Sequence, residues 1–270
     1  MGPILIAAAV VCAIGAVCAV ILVIASRLFA VEEDQTEVSI RACLPGANCG
    51  ACGYAGCDGY AKALAEDKSI KANLCIPGAD AVASQIAQIL GVEAEDVIEQ
   101  VAVVHCLGDC EHTSEKLEYS GIQTCKAVRT LYGGKGKCTF GCLGYGDCMS
   151  VCPNNAICIE KGIAHINTRM CVGCGLCAKA CPQGIIGIVA DVERVVVSCS
   201  NKEKGALTRQ ECSNGCIGCK KCEKTCAHGA IKVTDNLAAI DYEACVACGD
   251  CVTACPVGCL VLSDLSGMHR

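Results

Sequence analysis

Two stretches, Cys171-Val-Gly-Cys174-Gly-Leu-Cys177-Ala-Lys-Ala-Cys181-Pro182 and Cys245-Val-Ala-Cys248-Gly-Asp-Cys251-Val-Thr-Ala-Cys255-Pro256, carry one C-x2-C-x2-C-x3-C-P run twice. In such a run three closely spaced thiolates hold one 4Fe–4S cluster and the fourth reaches across to a second. Cysteine supplies 30 of the 270 residues. Disulfide frameworks belong to short secreted domains, and thiols two residues apart pair poorly outward. Structural zinc uses two separated C-x2-C pairs per ion, which leaves the third Cys and the trailing Cys-Pro without a use. Iron–sulfur thiolates need shelter from oxygen, so a reducing, cytoplasmic setting is implied.

Sliding the chain by 74 residues lays its C-terminal half on itself without a gap. Cys138, Cys142, Cys148 and Cys152 fall on Cys212, Cys216, Cys222 and Cys226, and the two quoted runs coincide. Each copy has the layout of a bacterial ferredoxin with two clusters. A Cys-rich turn leads to short apolar strands at 156–159 and 163–166, or 230–233 and 237–240, and then to the second Cys run. Small residues between the cysteines let backbone N–H groups approach the cluster sulfurs and tune their potential.

The second copy keeps the expected spacing: Cys216, Cys219 and Cys222 with Cys255 form one ligand set, and Cys226, Cys245, Cys248 and Cys251 the other. The first copy has Tyr145 where a middle ligand belongs, and Cys138, four residues before Cys142, is the expected substitute. Its sets then read Cys138, Cys142, Cys148 and Cys181, and Cys152, Cys171, Cys174 and Cys177. Cys158 and Cys259 fall on Lys232 and Ile185, which marks them as core thiols.

Upstream, Cys49, Cys52, Cys57 and Cys75 supply a further four-thiol set from a Gly-rich loop, with short helices expected at 59–66 and 81–90. Structural zinc also suits these four, and the ferredoxin-like context favours 4Fe–4S. Cys43 reads as a spare thiol. Cys106, Cys110, Cys125, Cys199 and Cys212 remain, and four of them would make a sixth site. The reading is Cys106, Cys110 and Cys125 with Cys199 or Cys212, the alternative being that some are free.

Residues 4–25 contain no charge and are long enough to span a bilayer. Arg27 follows them, which by the positive-inside rule places the rest of the chain in the cytoplasm. Cys12 and Cys18 inside the span act as small apolar groups. With two Phe, six Tyr and no Trp, large cores are not expected, and bound metal must organise small domains. The fold class is therefore α+β. The expected parts are an anchor (1–29), a helical 4Fe–4S domain (33–95), a Cys-containing connector (96–132), a first ferredoxin-like repeat (133–190), a connector (191–206) and a second repeat (207–265). No nucleotide-binding glycine motif occurs, and the net charge is −6, which argues against nucleic acid. The basic stretch 202–224 stands out against that charge. Lys220, Lys221 and Lys224 flank the ligand positions and are expected to dock an acidic partner.

A single span, then Leu44-Pro-Gly-Ala-Asn-Cys49-Gly-Ala-Cys52-Gly53, then tandem ferredoxin-like repeats, resembles the B subunits of Rnf complexes over essentially the whole chain. Gly141-Cys-Leu-Gly-Tyr-Gly-Asp-Cys148 and Val197-Ser-Cys-Ser-Asn-Lys-Glu-Lys-Gly205 resemble the anaerobic, clostridial-type branch. The resemblance implies an electron-transfer subunit of a membrane ferredoxin:NAD+ oxidoreductase that translocates Na+ or H+. It would take electrons from soluble ferredoxin and pass them to membrane subunits, with the NAD site on another chain. The other reading is a membrane-tethered polyferredoxin that serves a different reductase.

Overall fold

The computed structural model describes residues 2–28, 34–190 and 194–263. The ends of the expected anchor (1 and 29), the first residue of the expected N-terminal domain (33), 191–193 of the expected connector and the end of the last repeat (264 and 265) lie outside them. Helix α1 (Gly2–Leu28) holds the uncharged segment. Its window Ala9–Ser26 has a mean hydropathy of 2.8 and no buried residue, so it is long and apolar enough to cross a membrane. Cys12 and Cys18 are exposed along it.

Next come three helices, α2 (Gln35–Cys43), α3 (Cys57–Glu66) and α4 (Ala79–Leu90). Asp34 caps α2 by accepting from Thr36 N–H at 2.8 Å. Gly91 ends α4 in the left-handed conformation, φ 69°. Val82, Ile86 and Leu90 recur at helical spacing on α4 and meet Ile40, Tyr60 and Leu64 in a small core that also holds Cys57 and Cys75.

The rest of the chain is two copies of one plan. Strand β1 (Gln100–Val104) is followed by α5 (Cys125–Arg129), α6 (Asp147–Ser150), β2 (Ile157–Glu160), β3 (Ile163–Ile166), α7 (Leu176–Ala180) and β4 (Ile186–Ala190). The second copy runs β5 (Arg194–Val197), α8 (Gly205–Glu211), α9 (Lys221–Thr225), β6 (Ile231–Thr234), β7 (Leu237–Ile240), α10 (Asp250–Thr253) and β8 (Leu260–Ser263). Strands pair antiparallel as β1–β4 and β2–β3 in the first copy, and β5–β8 and β6–β7 in the second. Both inner hairpins turn on two residues with positive φ, Lys161-Gly162 and Asp235-Asn236, whose twist matches that of the strands. The fold is α+β, as the sequence implied.

Two segments expected as connectors supply strands. β1 lies in the expected 96–132 connector and β5 in the expected 191–206 connector, yet each closes the outer ladder of the repeat that follows it. Val101 and Val195 point into the two repeat cores, with Ile157 and Ile186, and with Ile231 and Leu260. Their apolar alternation is short, which is why it does not stand out from the surrounding loop sequence.

Candidate iron–sulfur centres

Cys49, Cys52, Cys57 and Cys75 come together around the start of α3. Asn48 shapes the loop: its Oδ1 accepts the Cys57 N–H at 2.8 Å. A Cβ on Gly56, at φ 114°, would sit 2.9 Å from that oxygen, so glycine is required. Burial pushes the Cys75 thiol up to about 11, and charges on Cys57, Cys49 and Cys52 add to the rise. Cys43 stays apart, donating to Ser39 O at 3.3 Å.

In the first repeat Cys152, Cys171, Cys174 and Cys177 share one site. Burial raises Cys177 to about 11, with Cys171, Cys174 and Cys152 acting on it in turn. Ala156 N–H donates to Cys152 Sγ at 3.3 Å and Ala102 N–H to Cys171 Sγ at 3.4 Å. The second of these donors comes from β1.

Around Cys142, Cys148 and Cys181 the structure differs from the sequence reading. The fourth thiol in that cavity is Cys125, not Cys138. Burial raises Cys148 to about 12, and charges on Cys142, Cys125 and Cys181 add to it. Cys125 is held there at the first residue of α5. The Asp147 carboxylate accepts the N–H groups of Cys125 at 2.9 Å and Lys126 at 3.0 Å, while Thr124 Oγ1 caps the helix through Ala127 N–H at 3.1 Å. Tyr145 stands edge-on to Tyr119 and packs beside Cys125, Val128 and Leu143.

Cys138 sits instead in a cavity between the repeats, with Cys106, Cys199 and Cys212. Burial raises Cys106 to about 12. Gly141 and Gly108 leave the space open: a Cβ on Gly141 would lie 3.7 Å from the sulfurs of both Cys106 and Cys138, and one on Gly108 3.2 Å from that of Cys212. Asn201, 1 % exposed, donates from Nδ2 to Cys138 Sγ at 3.5 Å and to Glu211 Oε2 at 2.9 Å. The repeats are clamped around this cavity. His105 Nδ1 meets Val197 O at 2.7 Å, Thr113 Oγ1 donates to Glu211 O at 2.6 Å, and Ser213 N–H donates to His112 O at 2.9 Å.

Neither Cys110 nor Cys125 joins this set, contrary to the sixth site read from the sequence. Cys110 is exposed, and its N–H is bound to Lys161 O at 3.0 Å. The sequence did carry a signal. Cys138 and Cys212 obey the 74-residue offset, and Cys106 and Cys199 each follow an outer strand by two residues, after Val104 and Val197. Each repeat thus contributes one thiol of either kind.

In the second repeat Cys216, Cys219, Cys222 and Cys255 share a site, and burial raises Cys222 to about 11. Cys226, Cys245, Cys248 and Cys251 line a common cavity. Cys259 is buried, with its sulfur 3.6 Å from that of Cys255. A hydrogen bond between Cys259 and Cys216 keeps the proton on Cys259 and holds the Cys216 thiol below its ordinary value. Cys158 is exposed, against the expectation of a core position, and donates to Glu160 Oε1 at 3.4 Å.

Among the described residues no three or more His, Cys, Asp or Glu side chains are drawn together for a single metal ion. Backbone N–H groups are aimed at the sulfurs of Cys106, Cys152, Cys171 and Cys199, which suits an iron–sulfur cluster. Burial of neutral thiols means that their protons leave when metal binds.

Comparison with known families agrees with that chemistry. Residues 44–77 match an Fe-S cluster family, 164–187 a 4Fe-4S binding domain and 215–259 a 4Fe-4S dicluster domain. The chain is 43% identical over 250 residues to the B subunit of the proton-translocating ferredoxin:NAD(+) oxidoreductase complex of Clostridium ljungdahlii, covering 92% of this chain and 88% of that one. It is 41% identical to the B subunit of the ion-translocating oxidoreductase complex of Methanosarcina acetivorans, over 92% and 94% of the two chains. With the B subunit of the Na(+)-translocating ferredoxin:NAD(+) oxidoreductase complex of Acetobacterium woodii the identity is 39%, over 88% and 72%. The chain belongs to the B-subunit family of Rnf complexes. It is an iron–sulfur electron-transfer subunit of an ion-translocating oxidoreductase, it carries 4Fe–4S clusters, and it works among other subunits of a membrane-associated complex.

Lys220, Lys221 and Lys224 are exposed at the start of α9, beside the exposed Cys219. Lys220 takes a left-handed conformation, φ 58°. Their neighbour Glu223 turns away and accepts the Val233 N–H at 3.1 Å. No ion pair among the described residues engages the three lysines.

Proposed function

We propose that six 4Fe–4S clusters occupy these cradles and that electrons from reduced ferredoxin pass along them toward the membrane subunits. The ligand sets are Cys49, Cys52, Cys57 and Cys75; Cys152, Cys171, Cys174 and Cys177; Cys125, Cys142, Cys148 and Cys181; Cys106, Cys138, Cys199 and Cys212; Cys216, Cys219, Cys222 and Cys255; and Cys226, Cys245, Cys248 and Cys251. Each cluster, when bound, takes up and releases one electron.

The observation that carries this reading is the single-file order of the cradles. Lys179, on the helix that carries Cys177, donates from Nζ to Cys49 O, which joins the N-terminal set to the first repeat. Cys177 and Cys181 belong to neighbouring sets and are linked through α7, Cys181 N–H to Cys177 O at 3.0 Å. Cys142 N–H donates to Cys106 Sγ at 3.4 Å, and Cys216 N–H to Cys199 Sγ at 3.3 Å, so the bridging cradle touches a ligand position of each repeat. Cys226 N–H donates to Cys222 O at 3.1 Å and completes the file.

In this reading 1–29 is a single-pass anchor with the cluster domains on the cytoplasmic side. The N-terminal cradle, beginning fifteen residues after Asp34, is the exit toward the bilayer. Lys220, Lys221 and Lys224, which lie between Cys219 and Cys226 where the last two cradles adjoin, form the entry for an acidic ferredoxin at the outer end of the file. Anaerobically purified protein should hold about 24 iron atoms, four for each of six clusters. A value near 12 would reduce the file to half its members and sink the proposal.

A further inference from the structure

Lys179 lies at the last turn of α7, in the first repeat, yet its contact is with the N-terminal domain: Nζ donates to the carbonyl oxygen of Cys49. The approach is close, since a Cβ on Gly50 would lie 3.2 Å from the same nitrogen. Cys49 belongs to the N-terminal cradle, and Lys179 lies on the helix that also carries Cys177 of the first repeat's cradle. The ammonium therefore stands at the junction of the N-terminal set and the set of Cys152, Cys171, Cys174 and Cys177.

The internal repeat provides a control. Shifting by 74 residues takes Lys179 to Thr253 and Cys174 to Cys248. There Cys248 is exposed, and Thr253 Oγ1 turns back to donate to Asp250 O at 2.9 Å. The ferredoxin-like fold does not need a lysine at this turn; the junction does. No acidic side chain among the described residues pairs with Lys179, so its charge remains available to whatever lies on either side.

We propose that Lys179 is a positioning residue that latches the N-terminal cradle onto the first repeat and makes both flanking clusters easier to reduce. An added electron in either cradle is one more negative charge near a fixed cation, and attraction between them favours the reduced state. By reciprocity, whatever favours reduction also tightens the seat when the cradles are reduced. The lysine is exposed, so the effect is partly screened and should weaken as salt is raised. This rests on the cradle assignments proposed above.

The test uses the full chain under anaerobic conditions, with redox titration followed by EPR. Lys179→Met and Lys179→Gln should shift the midpoints of the two flanking clusters to more negative potentials and leave the other four in place. Glutamine retains a donor for the Cys49 carbonyl but no charge, so it should hold the spin–spin interaction between the two reduced clusters better than methionine. Lys179→Arg should restore both readouts. Midpoints unchanged in the Gln variant would show that the charge plays no part and overturn the inference, as would an equal shift of all six clusters. Cys49→Ser and Cys174→Ser should each cost one cluster. If either keeps full iron, the cradle assignment fails and the latch with it. If both lose iron while the lysine variants are silent, the latch alone fails.

Discussion

Cys125 and Cys138 offer the sharpest test of the ligand sets, because spacing and geometry place them differently. Spacing puts Cys138 with Cys142, Cys148 and Cys181, whereas the fold puts Cys125 there and sends Cys138 to the cavity between the repeats. Each single change to Ser should cost one cluster, about 4 of about 24 iron atoms. The combinations discriminate. Cys125→Ser with Cys138→Ser should remove two clusters, about 8 iron atoms, because the thiols serve different cradles. Cys138→Ser with Cys212→Ser should cost only about 4, because these serve the same one, and effects within one unit do not add. The iron and acid-labile sulfide content of anaerobic protein gives the count, and EPR of the reduced protein identifies the missing signal. In the Cys138 variant, electrons supplied at the second repeat should no longer reach the first, since the bridging cradle touches both Cys142 and Cys216. If the Cys125–Cys138 double variant loses no more iron than either single one, the two thiols share a cluster and the bridging cradle does not exist.

Other perturbations follow from the same geometry. Asp147→Ala removes the carboxylate that holds the first turn of α5 and should cost about 1–2 kcal/mol, with preferential loss of the Cys125 cluster; unchanged thermal stability and iron would refute that role. Ile86 is fully buried in the N-terminal core, so Ile86→Ala should destabilise that domain by about 2–5 kcal/mol in denaturant unfolding, leaving the signals of both repeats intact. Because burial pushes Cys75, Cys106, Cys148, Cys177 and Cys222 up to about 11 or 12, each released thiol takes a proton throughout the neutral range. Chelator-driven iron loss should therefore quicken as pH falls from about 8 to about 6, and a pH-independent rate would contradict it. Changing Lys220, Lys221 and Lys224 together to Glu should slow reduction by ferredoxin at low salt, with the deficit shrinking at high salt and iron content constant. Equal rates and salt dependence in that variant would move the entry site elsewhere.

What could be read from the sequence was what spacing alone determines. Close ligand runs such as Cys171 to Cys181 fix their own geometry, because two intervening residues leave the chain few ways to present its thiols. The gapless 74-residue offset then transferred hairpins and helices from one copy to the other, and 157–166 and 231–240 fold as expected. The outer strands were not legible. They are four and five residues long and pair only with the far end of each repeat, so no local pattern announces them.

The same cause explains why Cys125 and Cys138 fall elsewhere than spacing suggests. Cys138 is the nearest unassigned cysteine to Tyr145, but proximity in sequence competes with helix capping. Asp147, the residue before Cys148, accepts two N–H groups at the start of α5 and thereby draws Cys125 into the cavity. That choice frees Cys138, whose equivalent Cys212 is also free because Cys219 occupies the regular position in the second copy. Both repeats thus keep a spare thiol at the same place, the second because its run is regular and the first because Cys125 fills the irregular position. With Cys106 and Cys199 following the outer strands, the two spares complete a site that neither repeat could build alone. It is Cys125, filling the place that Tyr145 leaves, that keeps Cys138 free for the cradle that joins the two ferredoxin-like units in the proposed path.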